Sequence, residues 1–546
     1  MIDLCIIWIK KPKFHITTFN NTKKRYRDDS KKRSEKGIKE SDSKCPDSIG
    51  DINSQIAKQV NDITNWILSC KNISFLEFEP QLFAKTCELG RLFISLFLFM
   101  REGYWQKEHP ELEKGLKRQG LKDRLIGTVF GKVRYWRTYI YRGKDEGGYY
   151  PLDIELGLPW DGFSMLVRSY ATRLATKMSY AQCVTVLGTF LQWSPCQKTI
   201  EEMVLGLGKH TNQWFESAPA PENDGEVLII QVDSKATPTA TEEELEKRRG
   251  ERAKNKHPGS QRHRGKAARK RRGPKKRKKK GDKTKNGKMS TIVVMYTLKR
   301  SNDGMLEGPI NKKVYASYAP KRHAVAIARR EADKRGFKDK SGKLIQIVTD
   351  GDNDLERYIN EFFPEAIHTI DVFHVTEYLW KAGGCLYKEG SDELIDWVET
   401  QKTLLYAGRA DKIVKEIDDR LKLIPKEDSG MKKRRENLEK FKGYLNKRVS
   451  KMNYKELNEQ DLEISSGAVE GAVNHVIAKR FDSGGMRWIK QRSEALLQLR
   501  CIEVNDDWDA FISYVHDKTC GQAQLSNENF FLKSKEPNPL PIYGLN

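Results

Sequence analysis

LIQIVTDGDNDLERYINEFFPEAIHTID (344–371) is the stretch that decides the fold. Its first seven residues are an apolar, β-branched run closing on Asp350, the pattern of a buried strand. DNDLERYINEFF then takes up helical spacing and is halted before Pro364. AIHTID (366–371) returns to a strand. Upstream, EVLIIQVD (226–233), STIVVMYT (290–297) and KKVYASYA (312–319) are β-rich, and PKRHAVAIARREADKRG (320–336) is a helix with Gly336 as its stop. The order is β-β-β-α-β-α-β.

Downstream, Val372 to Met452 is helical throughout, with helices near 390–407, 411–423 and 431–447 and no strand. SSGAVEGAVNHVIAKR (465–480) is a further helix with Ser466 available as cap, and IKQRSEALLQLRCIEV (489–504) another. Strands, helices and a late helix in this order predict an α/β fold, a ribonuclease H-like mixed sheet with an all-helical insertion. The core would occupy 225–371 and 465–515, the helical insertion 372–464, and a tail 516–546.

The amino-terminal side reads differently. Residues 1–48 are a polar, charged tail without periodicity. A mainly α-helical region follows over 50–217, read as DNA-binding. Within it TVFGKVRYWRTYIY (128–141) predicts a hairpin turning at Gly131, and 179–208 a helix-turn-helix-like pair with Ser194 capping the second helix and Pro195 in its first turn. An ordinary helical hairpin fits 179–208 equally well. APAPEND (218–224) is a linker.

The 546 residues carry a formal charge of +24. Residues 251–290 hold 19 Lys or Arg against Glu251 and Asp282, which leaves +7 for the rest of the chain. The excess is therefore one insertion (245–289), including Arg269, Lys270, Arg271, Arg272, Lys275, Lys276 and Arg277, suited to gripping DNA phosphates without reading sequence. Nine scattered cysteines form no C-x-x-C pair, so neither a zinc ribbon nor a disulfide framework is indicated. No apolar run approaches the ~20 residues of a spanning helix, and Met1 to Ile9 lacks the marks of a signal peptide. These features predict a soluble, intracellular protein with no membrane partner.

Asp233 and Asp350 stand at strand ends, where a carboxylate can protrude into a cleft. Glu470 shares a helical stripe with Val473 and Ile477, which places an acid on a face expected to pack against the sheet. An unpaired buried carboxylate costs several kcal/mol by order of magnitude, and a bound cation offsets it. Three converging acids suit Mg²⁺ (or Mn²⁺), two ions about 3.5–4 Å apart for in-line displacement at a phosphodiester. No small-molecule cofactor is called for. Singly, an Asp at a strand end is more often a turn residue or cap, and Asp352 reads as the cap of the helix it precedes.

At VDSKA around Asp233, VTDGD around Asp350, FFPEAIHTIDVFHVTEYLW (362–380), SGAVEG around Glu470 and GGMRW (484–488), the chain resembles bacterial insertion-sequence transposases of the ISKra type and their Mutator-like eukaryotic relatives. The resemblance spans most of 120–515. It implies a DDE transposase with catalytic and metal-holding Asp233, Asp350 and Glu470, acting on double-stranded DNA at terminal inverted repeats and at target DNA. It also implies a homodimer or higher synaptic assembly in the bacterial cytoplasm, associated with the nucleoid. DVFH supplies Asp371 and His374 as accessory groups, with helix capping by Asp371 as the plainer reading; Arg487 would grip a phosphate and Trp488 stack on an unpaired base, with simple core packing the alternative for Trp488. Where many relatives carry a cysteine knuckle, this chain has RGKDEGGYYPLD (142–153), so no zinc is expected there. Two other functions fit the same residues: a catalytically silent DNA-binding protein derived from a transposase, and a ribonuclease H-like nuclease.

Overall fold

The computed structural model describes residues 45–112, 115–143, 147–159, 161–243, 287–424, 431–482 and 488–525. They form two compact units, one made of the residues up to Leu152 with Gly188–Trp193, the other of Asp153–Leu187 and the chain from Ser194.

In the smaller unit, α1 (Ile49–Ser69) and α2 (Phe75–Glu108) each begin on a serine. Ser48 accepts the Asp51 amide, and Ser74 with Glu77 makes a capping box. Trp66 stacks on Phe78 at 5.0 Å and 6°, joining the two helices. An antiparallel meander follows, β1 (Lys117–Thr128), β2 (Gly131–Gly143) and β3 (Gly147–Tyr149). The turn falls at Gly131 as expected, with φ +121°. The hairpin is larger than the sequence suggests, however, because 128–141 covers little more than its second strand. Most of β1 is exposed, so KRQGLKDRLIGT lacks the apolar alternation by which a strand is recognised.

Next along the chain come α3 (Pro151–Glu155), α4 (Met165–Lys177), α5 (Tyr180–Leu191), α6 (Gln197–Gly208) and α7 (Thr211–Ser217). The pair expected over 179–208 is present as α5 and α6, but Cys196, not Ser194, precedes the second helix. Ser194 donates instead to the Pro195 carbonyl at 2.9 Å.

The larger unit is mixed α/β around a five-stranded sheet of order β6-β5-β4-β7-β8. β4 (Val227–Pro238), β5 (Gly287–Arg300) and β6 (Leu306–Ser317) pair antiparallel, while β7 (Leu344–Thr349) and β8 (Ile367–Ile370) extend it in parallel from β4. Between them lie α8 (Lys321–Lys334) and α9 (Asn353–Phe362), so the elements follow the expected order. Leu228, Ile230, Val232, Ile345 and Ile347 point to one face and are buried with Ala324, Ala328, Leu355 and Ile359 of these helices. Each of the leucines, isoleucines and the valine contributes about 1.5–3 kcal/mol on burial. The opposite face carries Gln231 and Gln346, since alternate residues of a strand point to opposite sides.

Beyond the sheet run α10 (Val372–Leu386), α11 (Asp392–Tyr406), α12 (Ala410–Leu423), α13 (Lys432–Asn446) and α14 (Tyr454–Glu459), and no strand is described between 372 and 452. α15 (Gly467–Ala472) passes into a π-helical segment, Val473–Asp482, where a regular α-helix was expected. The wider turn lets Val476, Ile477, Arg480 and Phe481 all face inward. α16 (Lys490–Val504) and α17 (Trp508–Leu525) complete the unit, and α17 carries helix past 515, where a tail was expected, with Trp508, Phe511 and Val515 buried.

Part of the expected amino-terminal region packs with this sheet-bearing unit. Arg173 and Lys177 of α4 meet Glu503 of α16 at 2.8 and 2.6 Å, and Trp508 donates to Ser169 at 2.9 Å. Residues 153–187 and 194–217 thus belong with the larger unit.

Candidate active site

Strand register assembles the site. Val232 pairs with Thr349, and Thr349 with Ile370, so the next residue on each chain is Asp233, Asp350 and Asp371 in turn. Three neighbouring segments therefore end their shared ladder on an aspartate at the same level. The Asp371 amide donates to the Thr349 carbonyl at 2.8 Å, which continues the pairing one step past β8. Asp233 does not end its strand as the sequence suggested. β4 runs on to Pro238 with β5 alone, and Asp233 sits where the parallel neighbour stops.

Asp371 is completely buried and heavily engaged. Oδ1 accepts the Phe373 amide at 2.9 Å, capping α10, while Oδ2 takes His374 Nδ1 at 2.7 Å and Ser466 Oγ at 2.5 Å. Capping and the histidine contact, offered by the sequence as alternatives, coexist on two oxygens of one carboxylate. Burial pushes Asp371 up, but the bonds from His374, Ser466 and the Phe373 amide hold it below the usual carboxylate range. His374 is driven up to about 9 by its bond to Asp371, against burial, with further pull from Asp371, Asp350 and Asp233. Asp233 moves the other way: burial raises it, the Ser234 amide opposes, and the Asp350 and Asp371 charges add to the rise.

Glu470 arrives on α15. Its segment is laid across the polar face of the sheet by two buried glutamines. Gln346 donates to the Glu463 carbonyl at 2.7 Å and accepts the Glu463 amide at 2.9 Å. Gln231 donates to the Ser465 carbonyl at 3.1 Å and accepts the Val469 amide at 2.9 Å. Tyr296 donates to Glu463 at 2.9 Å, the Val372 amide reaches Ile464 at 3.0 Å, and Ser466 is tied to Asp371. Ser466 consequently does not cap α15 with its side chain, as expected from sequence. Glu470 itself is exposed, not buried on an apolar stripe with Val473 and Ile477; Val469, Ala472, Val476 and Ile477 are the buried positions. The desolvation argument made for Glu470 therefore passes to Asp371 and Asp233.

Among the described residues, Asp371, His374 and Glu470 offer ligand atoms that all lie within 4.8 Å of one another. This group differs from the expected trio of Asp233, Asp350 and Glu470, sharing only Glu470, although Asp233 and Asp350 stand beside Asp371 in the row. Asp233, Asp350 and Glu470 have no lysine or arginine ion-pair partner among the described residues, and His374, grouped with Asp371 and Glu470, also feels the charges of Asp350 and Asp233. Asp371, His374 and Glu470 are so placed that they could hold a metal ion.

Sequence reasoning did not single out Gln231, Gln346, Tyr296 or Glu463. The signal was present, since a glutamine within LIIQV or LIQIV is a polar group that needs buried partners. Trp488, expected to stack on a base, has its ring packed in the interior: it is 9% exposed, its Nε1 donates to the Phe481 carbonyl at 3.1 Å, and the Arg480 guanidinium lies 4.8 Å from the ring. Arg487 and the basic residues Arg269, Lys270, Arg271, Arg272, Lys275, Lys276 and Arg277 lie outside the described residues. No helix among the described residues is long and apolar enough to cross a membrane. In comparisons with known proteins, no family model matches the chain and no curated protein does.

Proposed function

We propose that the chain is a divalent-metal-dependent DNA transposase of the DDE type, with a ribonuclease H-like catalytic core that cuts and joins strands at the ends of an insertion sequence. The observation that supports this most is the aspartate row at one register level, with Glu470 brought over it by a separately anchored helix. The motifs around Asp233, Asp350 and Glu470 are similar to those of ISKra-type enzymes, and they fall on that row and that helix. Mg²⁺ or Mn²⁺, two ions in the usual arrangement, would supply Lewis-acid activation of the attacking oxygen and charge stabilisation at the leaving one. Asp233, Asp350 and Glu470 would hold them. Asp371, buried, ends the same row, and its bond to His374 fixes which imidazole nitrogen faces the remaining carboxylates. The basic insertion would add sequence-independent grip on duplex DNA, and paired ends imply a dimer or higher assembly.

The test is cleavage of a duplex carrying the sequence that borders the coding region. Asp233→Asn, Asp350→Asn and Glu470→Gln should each lower the Mg²⁺-dependent rate by ~10³-fold or more, about 4 kcal/mol of transition-state stabilisation, without loss of duplex binding. Full activity in all three would remove the assignment. A wild-type protein that binds but never cuts would favour a silent DNA-binding descendant, and one that cuts RNA:DNA hybrids regardless of end sequence would favour a nuclease.

A further inference from the structure

Beside Asp350 opens a cavity of about 480 Å³, walled by Gly351, Asp352 and Asn353 on one side and by Tyr378, Lys440, Gly443, Tyr444, Lys447 and Arg448 of the helical block on the other. Its size falls within the ~300–1,000 Å³ typical of small-ligand sites. Its charges divide into two classes. Asp352 is committed to Lys321 at 2.8 Å and to capping α9, and Arg448 is buried against Glu356 and Asn353 at 2.7 and 2.8 Å. Lys440 and Lys447 are exposed, and the described residues give neither an acidic partner. The uncommitted charge is thus two ammonium groups about two helical turns apart, Lys440 on α13 and Lys447 just past its end.

The apolar wall is aromatic. Tyr378 packs against Tyr444 at 4.7 Å, the Arg448 guanidinium lies 4.5 Å over the Tyr444 ring and the Lys381 ammonium 4.8 Å over that of Tyr378; Tyr444 donates to the Asp350 carbonyl at 2.9 Å, so the wall is bonded to the loop that carries the aspartate. Gly443 lies on the same wall, and a Cβ there would meet nothing within 4 Å. The arrangement combines a free cationic pair, an aromatic surface and a rigid link to a candidate catalytic acid. Those are the features of a site for one nucleotide of a strand, with its phosphates on the lysines and its base or sugar against the exposed part of Tyr378.

We infer that this cavity holds the nucleotide next to the phosphodiester presented to the acidic row, so that α13 and α10 form a substrate subsite. The inference deepens the proposed function and rests on it for the identity of the neighbouring phosphodiester. Occupancy of the cavity by a nucleic-acid strand can be measured without any cleavage.

The experiment uses the full chain in Ca²⁺, with a duplex bearing a short 3′ overhang that contains 2-aminopurine. Lys440→Glu with Lys447→Glu should weaken binding at least tenfold and lower the slope of log K against log salt by about 1.4–1.8, two phosphate contacts' worth. Lys338→Glu with Lys340→Glu makes the same charge change on exposed residues before β7, at the opposite end of that strand from Asp350, and should weaken binding less than threefold. Gly443→Leu, which fills the cavity, should abolish the 2-aminopurine quenching seen with wild type, while Gly443→Ala, which suits a helix and leaves the space open, should preserve it. Equal losses in the two lysine pairs, or quenching that survives Gly443→Leu, would overturn the subsite. If the wild type shows the expected binding pattern yet never cuts DNA with Mg²⁺, the subsite stands and the catalytic proposal falls. If it cuts DNA and all cavity variants bind and cut as wild type does, the reverse holds.

Discussion

Replacing Gln346 by leucine removes one of the two clips that seat the Glu470 segment. The side chain is fully buried, and its amide makes three bonds: to the Glu463 carbonyl at 2.7 Å, to Thr369 Oγ1 at 2.9 Å and from the Glu463 amide at 2.9 Å. Leucine fills similar volume, so no large cavity term arises, but the Glu463 amide, its carbonyl and the Thr369 hydroxyl lose their partner in the interior. At about 1 kcal/mol per bond the loss is ~3 kcal/mol. For a unit of this size that corresponds to a fall in Tm of roughly 3–5 °C by circular dichroism. Stability alone would not distinguish the clip from any core residue. The control is Ile345→Val on the opposite sheet face, which should cost ~1 kcal/mol without touching the segment. Well below either Tm, Gln346→Leu should cut DNA 10–100-fold more slowly than wild type, in the range seen when outer-shell supports of metal sites are removed, and Ile345→Val should cut normally. A Tm within 2 °C of wild type, or equal rates in the two variants, would refute the claim that the clip positions Glu470.

Other consequences can be measured directly. In chelator-treated protein the folded-state pKa of His374, about 9, lies above its unfolded value near 6.5, so its contribution is complete below pH ~6.5 and is lost as pH rises towards 9. His374→Gln should flatten that decline in urea titrations, and an unchanged profile would count against the Asp371–His374 bond. Gly351 has φ +79°, and a Cβ there would stand 2.8 Å from the Tyr444 hydroxyl and 3.0 Å from Arg448 Nε, both held by other bonds. Gly351→Ala should therefore cost at least ~1–2 kcal/mol of unfolding free energy; a neutral outcome would mean the Asp350 loop is looser than described. Deleting 255–285 should weaken binding to all duplexes alike and reduce the salt dependence, whereas loss of affinity for a single sequence would make the tract a specific reader.

The larger unit was legible because its signals are local. Apolar runs, helix stops such as Gly336 and the Asp352 cap identify elements one at a time, and the β-β-β-α-β-α-β order followed from them. β1 was missed because an exposed strand owes its existence to its partner, not to its own pattern. The acids stand out by type and motif, whereas the register that sets Asp233, Asp350 and Asp371 at one level depends on pairing across three strands. Glu470 was assigned to a stripe with Val473 and Ile477, whereas the buried stripe runs one residue earlier, through Val469, Ala472 and Val476. Which helices side with the sheet was equally hidden, since contacts such as Arg173 with Glu503 join residues far apart in sequence.

The aspartate row also acts as a check on assembly. Side chains alternate along a strand, so a slip of β7 against β4 by one residue would turn Asp350 towards α8 and α9 and leave Gly351 or Thr349 in its place. A mispaired sheet would then have a gap in the middle of its acidic edge. Such a molecule would be inert, not misdirected, which is the safer failure for a protein whose proposed reaction breaks chromosomes.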